Sequence, residues 1–257
     1  MAADTHYLAE ADELHTAAAQ AVRKYGPSSQ AVVFLKYEEL IRLWHAHLTI
    51  GPTHDLCDRL ARTAEDIRTA YARQLTVRHD HPTRLVQSDP LIIEFDRGVF
   101  QDRYGVAAAT AVKQTWHVRS AEIPADFVTG APHMFVIDDE GRLLIWRRRF
   151  NLRELIFGRA KSHVDGVPVA HPMLVPDRLR VRAAGEIVLI GAPQVHAVVA
   201  NTKSGHFRPP PSTGAVVREV CAELFDVPTH RVDVFTLGGL SDQGYANSTH
   251  RLVEATS

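Results

Sequence analysis

What most constrains the fold of this chain is a change of period. Up to about residue 79 the apolar residues recur at helical spacing, and beyond Pro82 they recur in short extended runs. Leu8, Ala11, Leu14, Ala18, Ala21 and Val22 make one stripe, stopped by Tyr25-Gly26-Pro27. A second run, capped by Ser28 or Ser29, carries Val32, Val33, Leu35, Tyr37, Leu40, Ile41, Leu43, Trp44 and Leu48 and keeps little polar face. It predicts a buried helix that ends before Gly51-Pro52. Thr53 opens a third, where Leu56, Leu60, Ala64, Ile67, Tyr71 and Leu75 oppose Arg59, Arg62, Glu65, Asp66 and Arg68. Short connections between the three predict an antiparallel helical unit over residues 1–82.

Residues 83–257 read differently. Runs at 85–87 and 91–95 around Pro90 predict strands, and the alanine-rich stretch 105–115 a short helix. Residues 134–146 place apolar runs either side of Asp138-Asp139-Glu140-Gly141, which predicts a hairpin. A helical turn at 150–157 and a loop at 158–176 follow. Residues 186–190 and 195–200 flank Gly191-Ala192-Pro193 as a second hairpin, and Thr213 caps a helix over 214–225. A last strand at 231–237 precedes a polar tail. The chain is therefore expected to be α+β: a helical unit at 1–82, then a mainly antiparallel sheet domain at 83–257 with one or two helices.

Composition narrows the function classes. With 257 residues, 45% of them hydrophobic, there is enough apolar material for a sizeable core. Lys plus Arg (29) nearly cancels Asp plus Glu (30), so no general field draws in nucleic acid or an anionic membrane. Cys57 and Cys221 are too few for a disulfide framework, no basic-then-apolar leader opens the chain, and no run approaches ~18 apolar residues. A cytoplasmic protein is expected, and nothing in the sequence sets its oligomeric state. Phosphate-loop, nucleophile-elbow, zinc and dinucleotide motifs are missing, and Gly238-Gly239 lacks the third glycine of the last. No metal and no redox cofactor is expected. His45 and His47, two apart on a helix, point to different faces, while His79 and His81 flank Asp80 in what reads as a solvated turn.

The chemistry-bearing residues collect at 178–211. After the second strand of the 186–200 hairpin comes Ser204-Gly205-His206-Phe207-Arg208, and then Pro209-Pro210-Pro211, which takes the chain out of the sheet. Side chains at such a strand end can reach a ligand while the sheet holds their backbone. Antiparallel pairing brings Glu186 near residues 200–206, so a Glu186 and His206 acid–base pair is expected. Gly205 would supply positive φ. Arg178, Arg180 and Arg182 alternate along the entering strand, which reads either as a solvated face or as guanidinium forks presented to a phosphate or carboxylate.

The segments Ile137 to Leu144, His171, Ala183-Ala184-Gly185-Glu186 and Ser204 to Pro209 together resemble a domain of plant IQ-motif calmodulin-binding proteins. The same domain occurs in many bacterial and fungal proteins, some of them toxin-like. Its pattern runs hairpin, His-His-Ser-Ser-Phe-Leu, Ala-Ala-Gly-Glu, Ser-Gly-His-Tyr-x-Pro. The likeness covers residues 134–237, about 40% of the chain, with Phe207 in place of the tyrosine and Pro172-Met173-Leu174-Val175 in place of Ser-Ser-Phe-Leu. The IQ segment is missing, so calmodulin binding is not implied. What the resemblance implies is a shared site, with His171 as a third member beside His206 and Glu186. The expected function is a transferase or hydrolase acting by acid–base chemistry on a small anionic or nucleotide-like substrate, with Ser204, Arg180, Arg182 and Arg208 binding it. The alternative is a non-catalytic binding or interaction module whose Ser-Gly-His segment is structural.

Overall fold

The computed structural model describes residues 6–74, 81–157 and 162–238. Leu75, the His79-Asp80 turn, Gly239 and the polar tail lie outside them. The N-terminal part is three helices, α1 (His6–Tyr25), α2 (Gln30–Ile50) and α3 (His54–Ala72). Ser29 caps α2 by accepting from the Val32 amide and Thr53 caps α3 by accepting from that of Leu56, so each hydroxyl satisfies one orphan donor of the first turn. α1 and α3 both pack on α2, which explains why α2 has almost no polar face.

The rest of the chain is sheet with helices against it. In order come β1 (Thr83–Ser88), β2 (Leu91–Phe95), α4 (Arg97–Lys113), β3 (Thr115–His117), β4 (Pro132–Asp138), β5 (Leu143–Trp146), α5 (Leu152–Ile156), β6 (His163–Val164), β7 (Val167–Pro168), a 3-10 turn at His171–Leu174, β8 (Arg180–Ile190), β9 (Ala197–Asn201), α6 (Thr213–Phe225) and β10 (Val232–Phe235). Among the described residues, every pairing of the main sheet is antiparallel except β9 with β10, which α6 joins as a crossover. An α+β fold with a helical N-terminal unit and a mainly antiparallel sheet is what the sequence predicts.

β8 organises the sheet. Along one edge it pairs with β4 from Val181↔Asp138 to Val188↔Pro132. Along the other it pairs with β2 at residues 180 and 181 and with β9 at residues 186 to 190. Residues 182–185 therefore have no strand partner on that second edge. One sheet face is covered at one end by α1 to α3, which bury Val188, Ile190, Val199 and Phe235. At the other end of the same face, α4 and the 3-10 turn bury Met134, Val136, Trp146 and Ala184. α6 covers the opposite face over Phe135, Ile187, Leu189 and Val198. Alternation along β8 puts Ala184, Glu186 and Val188 on one face, so Glu186 stands at the seam between the two apolar clusters.

Three local readings change. The helix expected at 105–115 begins at Arg97, because the Asp96 carboxylate accepts from the Val99 amide at 2.8 Å and Phe100 starts its buried stripe; Thr115 belongs to β3. Thr213 lies inside the first turn of α6 and donates its hydroxyl to the Pro210 carbonyl at 2.7 Å, so it does not cap the helix. The stretch read as loop at 158–176 holds the β6–β7 hairpin and the 3-10 turn.

Candidate functional site

Beside the gap in the β8 edge the predicted His171 and His206 come together, with the Ser204 turn carrying the second. The Ser204 hydroxyl accepts from the Phe207 amide at 3.1 Å and the Arg208 amide donates to the Ser204 carbonyl at 2.9 Å, closing a turn that buries Phe207 completely. His81 clamps this turn from outside: its Nε2 donates to the Gly205 carbonyl at 2.9 Å, and its Nδ1 meets the Thr83 hydroxyl at 2.7 Å. The sequence reading of His81 as part of a solvated turn is thus corrected. So is the role given to Gly205, since the residue with positive φ in this segment is Arg208, at +48°.

His171 and His206 come together. Their ring centres are 5.8 Å apart. His171 donates its Nε2 hydrogen to the Gly185 carbonyl at 3.1 Å, filling part of the unpaired edge of β8. The carbonyl can only accept, so Nδ1 of this neutral ring is a bare lone pair. His206 Nε2 shares a 3.1 Å hydrogen bond with the Tyr104 hydroxyl of α4, whose ring also packs against it edge-on. Nδ1 of both histidines is buried and has no hydrogen-bond partner among the described residues. Burial, and then the neighbouring His206, pushes His171 down to about 3; burial, and then His81 and Arg103, pushes His206 down to about 4. Both rings are neutral at pH 7.

Glu186 takes a separate place. It faces Asn201 across the β8–β9 ladder, as the hairpin register predicts. Burial pushes its carboxyl up to about 7, against the pull of Lys203 and a hydrogen bond with Asn201. Asn201 also hydrogen-bonds Tyr37 of α2, whose hydroxyl burial holds well above its ordinary range. Among the described residues no hydrogen bond joins Glu186 to His206. Tyr104 orients the imidazole, in place of the expected carboxylate.

The arginines go elsewhere. Arg180 Nε pairs with Glu94 at 3.1 Å, whereas Arg182 donates twice to the Asp139 carbonyl, at 3.1 and 2.9 Å, and Arg178 pairs with Asp139 and Glu140. Leu179 has a φ of +57°, which breaks the alternation on which a common face depended. Arg180 and Arg182 are thus tied to acceptors of the protein itself. Arg208 and Arg103 are the cations near the imidazoles, close enough that the first lowers His81 and the second His206. A cleft of about 350 Å³ lies beside the cluster, with His81 and Phe95 in its wall; the Phe95 ring centre is 6.5 Å from that of His206.

Comparisons of the chain with protein-family models, with curated proteins and with solved structures find no match. The likeness to the Ser-Gly-His-Tyr-x-Pro domain accordingly rests on its motif residues alone. Among the described residues no three His, Cys, Asp or Glu side chains are grouped to hold a metal ion, and no helix is long and apolar enough to cross a membrane.

The titrations set a pH dependence of stability. His171, His206 and His196, the last also pushed down by burial to about 4, stay neutral in the fold to well below 6.5, where the unfolded chain takes up protons. Glu186 acts in the opposite sense, because the native state holds its proton up to about 7 while the unfolded chain releases it near 4.5. Between pH 6.5 and 4 the unfolded state thus binds more protons on balance, and stability falls on acidification. Each net proton is worth ~1.4 kcal/mol per pH unit. For these four groups alone, three histidines against one carboxyl amount to ~3 kcal/mol per unit at most before solvent screening; burial also lowers His45, His47, His81, His117 and His133, which act in the same sense, and raises Glu38 and Asp233, which oppose it. Urea unfolding midpoints at pH 7, 6, 5 and 4 check this; a flat profile would show that the imidazoles are solvated in the fold.

Proposed function

We propose that the protein is an enzyme, a hydrolase or transferase that works by acid–base chemistry without a redox cofactor on a small anionic substrate. The observation that carries this reading is the pair of neutral imidazoles with buried, unpartnered Nδ1 atoms. Leaving a buried polar atom unpaired costs ~1–3 kcal/mol, and the turn around Phe207 is already complete without either ring. A cluster of strongly perturbed titratable groups is a usual sign of a working site. In this reading His206, held by Tyr104, takes a proton from a water or a substrate hydroxyl. His171 supports it as a second acceptor. Glu186, close to half-protonated at neutral pH, supplies or receives the second proton. The substrate's negative charge is held by Arg208 and Arg103, with the 350 Å³ cleft as the approach. Ser204, Arg180 and Arg182 are spoken for by the fold. A cytoplasmic setting and the shared site implied by the Ser-Gly-His motif belong to the same proposal.

One observation favours a second reading, a non-catalytic binding module: the Ser204 hydroxyl is spent on the Phe207 amide. The test runs a thermal-shift screen of nucleotides and phosphorylated metabolites, followed by turnover of any ligand found. His206→Ala and Glu186→Gln are expected to cost activity by roughly 10² or more each, and the double variant little beyond the worse single. Melting curves taken alongside separate lost chemistry from lost fold. Full specific activity in folded His206→Ala would end the catalytic reading in favour of the module.

A further inference from the structure

The helical unit and the sheet also meet through two imidazoles that the proposed chemistry does not use. His47, in the last turn of α2, and His196, at the end of the turn between β8 and β9, face each other Nδ1 to Nε2 at 2.8 Å, with ring centres 5.0 Å apart. The link joins residues 149 positions apart. On its other side His196 meets the Arg231 guanidinium through Nδ1, at 3.4 Å. A guanidinium can only donate, so Nδ1 of His196 is a bare acceptor and the one hydrogen of the ring sits on Nε2. That hydrogen points at His47 Nδ1, which is then bare in turn. Arg231 thereby fixes the tautomer of both rings, and both are neutral.

This chain of donors has no place for another proton. At His196 Nδ1 it would face the Arg231 N–H, and at His47 Nδ1 it would face the Nε2 hydrogen of His196, so either position breaks one of the two links. The surroundings offer a charged ring no compensation. Burial, and then Arg231 and His230, oppose charge on His47, which is 6% exposed; burial, and then Arg231 and His47, oppose it on His196. Of the carboxylates in the elements around the pair, Asp233 accepts from Trp44 Nε1 at 2.9 Å and Glu122 belongs to a backbone bridge with Gln194. Among the described residues neither bonds an imidazole of the pair. Trp44 leans edge-on against both rings, at 5.3 and 6.3 Å, and carries no charge. An imidazole beside a carboxylate gains a partner on protonation, whereas this pair loses one.

We propose that His47 and His196 form an acid-sensitive latch, closed while both rings are neutral, whose protonation parts the last turn of α2 from the turn between β8 and β9. The apolar cluster beneath the three helices keeps the remainder of the unit in place, so the opening is confined to this corner. Hydrogen–deuterium exchange of the full chain at pH 7, 6 and 5, corrected for the intrinsic rate, tests it, with the β4 amides as the reference for opening of the whole fold. The reporters are the amides of His196 and Gly51, which donate to the Ile190 and His47 carbonyls. Their protection is expected to fall at least tenfold more than that of β4 between pH 7 and 5, since each pH unit over which only the open state takes up a proton is worth about a factor of ten. His196→Gln, whose amide can accept from Arg231 and donate to His47 but takes no proton, should remove most of that excess. Nitrogen-15 spectra of the intact chain at pH 7.5 are expected to show the hydrogen of both rings on Nε2. A hydrogen on Nδ1 of either ring would overturn the latch. So would protection that falls only in step with β4, or an excess that persists undiminished in folded His196→Gln.

Discussion

Gly185→Ala is expected to cost about 3 kcal/mol or more of folding stability. A Cβ built on Gly185 would stand 1.8 Å from the Asn201 carbonyl oxygen, 2.8 Å from its carbon and 3.0 Å from the Thr202 Cα. All three are backbone atoms, so no side-chain rotation relieves the overlap. Asn201 is the last residue of β9 and its register is fixed by Glu186 on β8, while the Thr202 amide donates to the Phe235 carbonyl of β10 at 2.9 Å. Moving it away means opening the β8–β9 ladder or the link to β10, and overpacking of a rigid core ordinarily costs ~1–3 kcal/mol even where side chains can give. The Gly185 carbonyl also receives the His171 ring, so the imidazole pair would shift with it. Gly205 is the control. Its added Cβ meets nothing within 4 Å, and Gly205→Ala should change stability by no more than ~1 kcal/mol. Equal urea midpoints for the two variants would mean that close backbone approach is not why residue 185 is glycine.

Removing the helical unit should be still more damaging. Val188, Ile190, Ala197, Val199 and Phe235 of the sheet, together with Leu152 and Ile156 of α5, share one apolar cluster with Tyr37, Leu40, Ile41, Trp44, Leu60 and Ile67 of the helices. A fragment of residues 83–257 would turn that face to water. Full exposure of one large apolar side chain costs ~1.5–3 kcal/mol, and a handful exceeds the whole stability of an ordinary domain. The fragment is expected to be insoluble or to lack a cooperative transition. A monomeric fragment that melts cooperatively would show the helices to be an appendage.

How far the sequence could be read follows from the range of the interactions involved. Local signals carried the helices: Ser29 and Thr53 sit where capping chemistry puts them, and the stripes below them face the core. The hairpin register of Glu186 with Asn201 is also local, since only the residues at 191–196 separate the two strands. The parts that escaped depend on distant partners. His81 belongs to the site only because the chain returns 124 residues later to offer it the Gly205 carbonyl. Tyr104 lies on a helix face with no motif to mark it, and meets His206 across 102 residues. Arg180 and Arg182 alternate in sequence like a binding face, yet Glu94 arrives from β2 and Asp139 from the β4–β5 turn to claim them. One signal was present and unused: Asp96 followed by Val99 and Phe100 is an N-cap and a stripe, enough to start α4.

The position of Glu186 has a consequence for how the molecule transmits disturbance. It stands between Ala184, which belongs to the cluster under α4, and Val188, which belongs to the cluster under the three N-terminal helices. With Asn201, Tyr37 and Lys203 it forms a polar partition across what would otherwise be one oily layer. Two compartments that share few apolar contacts respond to injury separately, so energetic costs incurred in one should simply add to those incurred in the other. The partition is the exception. A proton gained or lost at Glu186 changes the charge felt by Tyr37 and Tyr71 of the N-terminal helices, so titration of this one carboxyl is linked to how firmly those helices sit on the sheet.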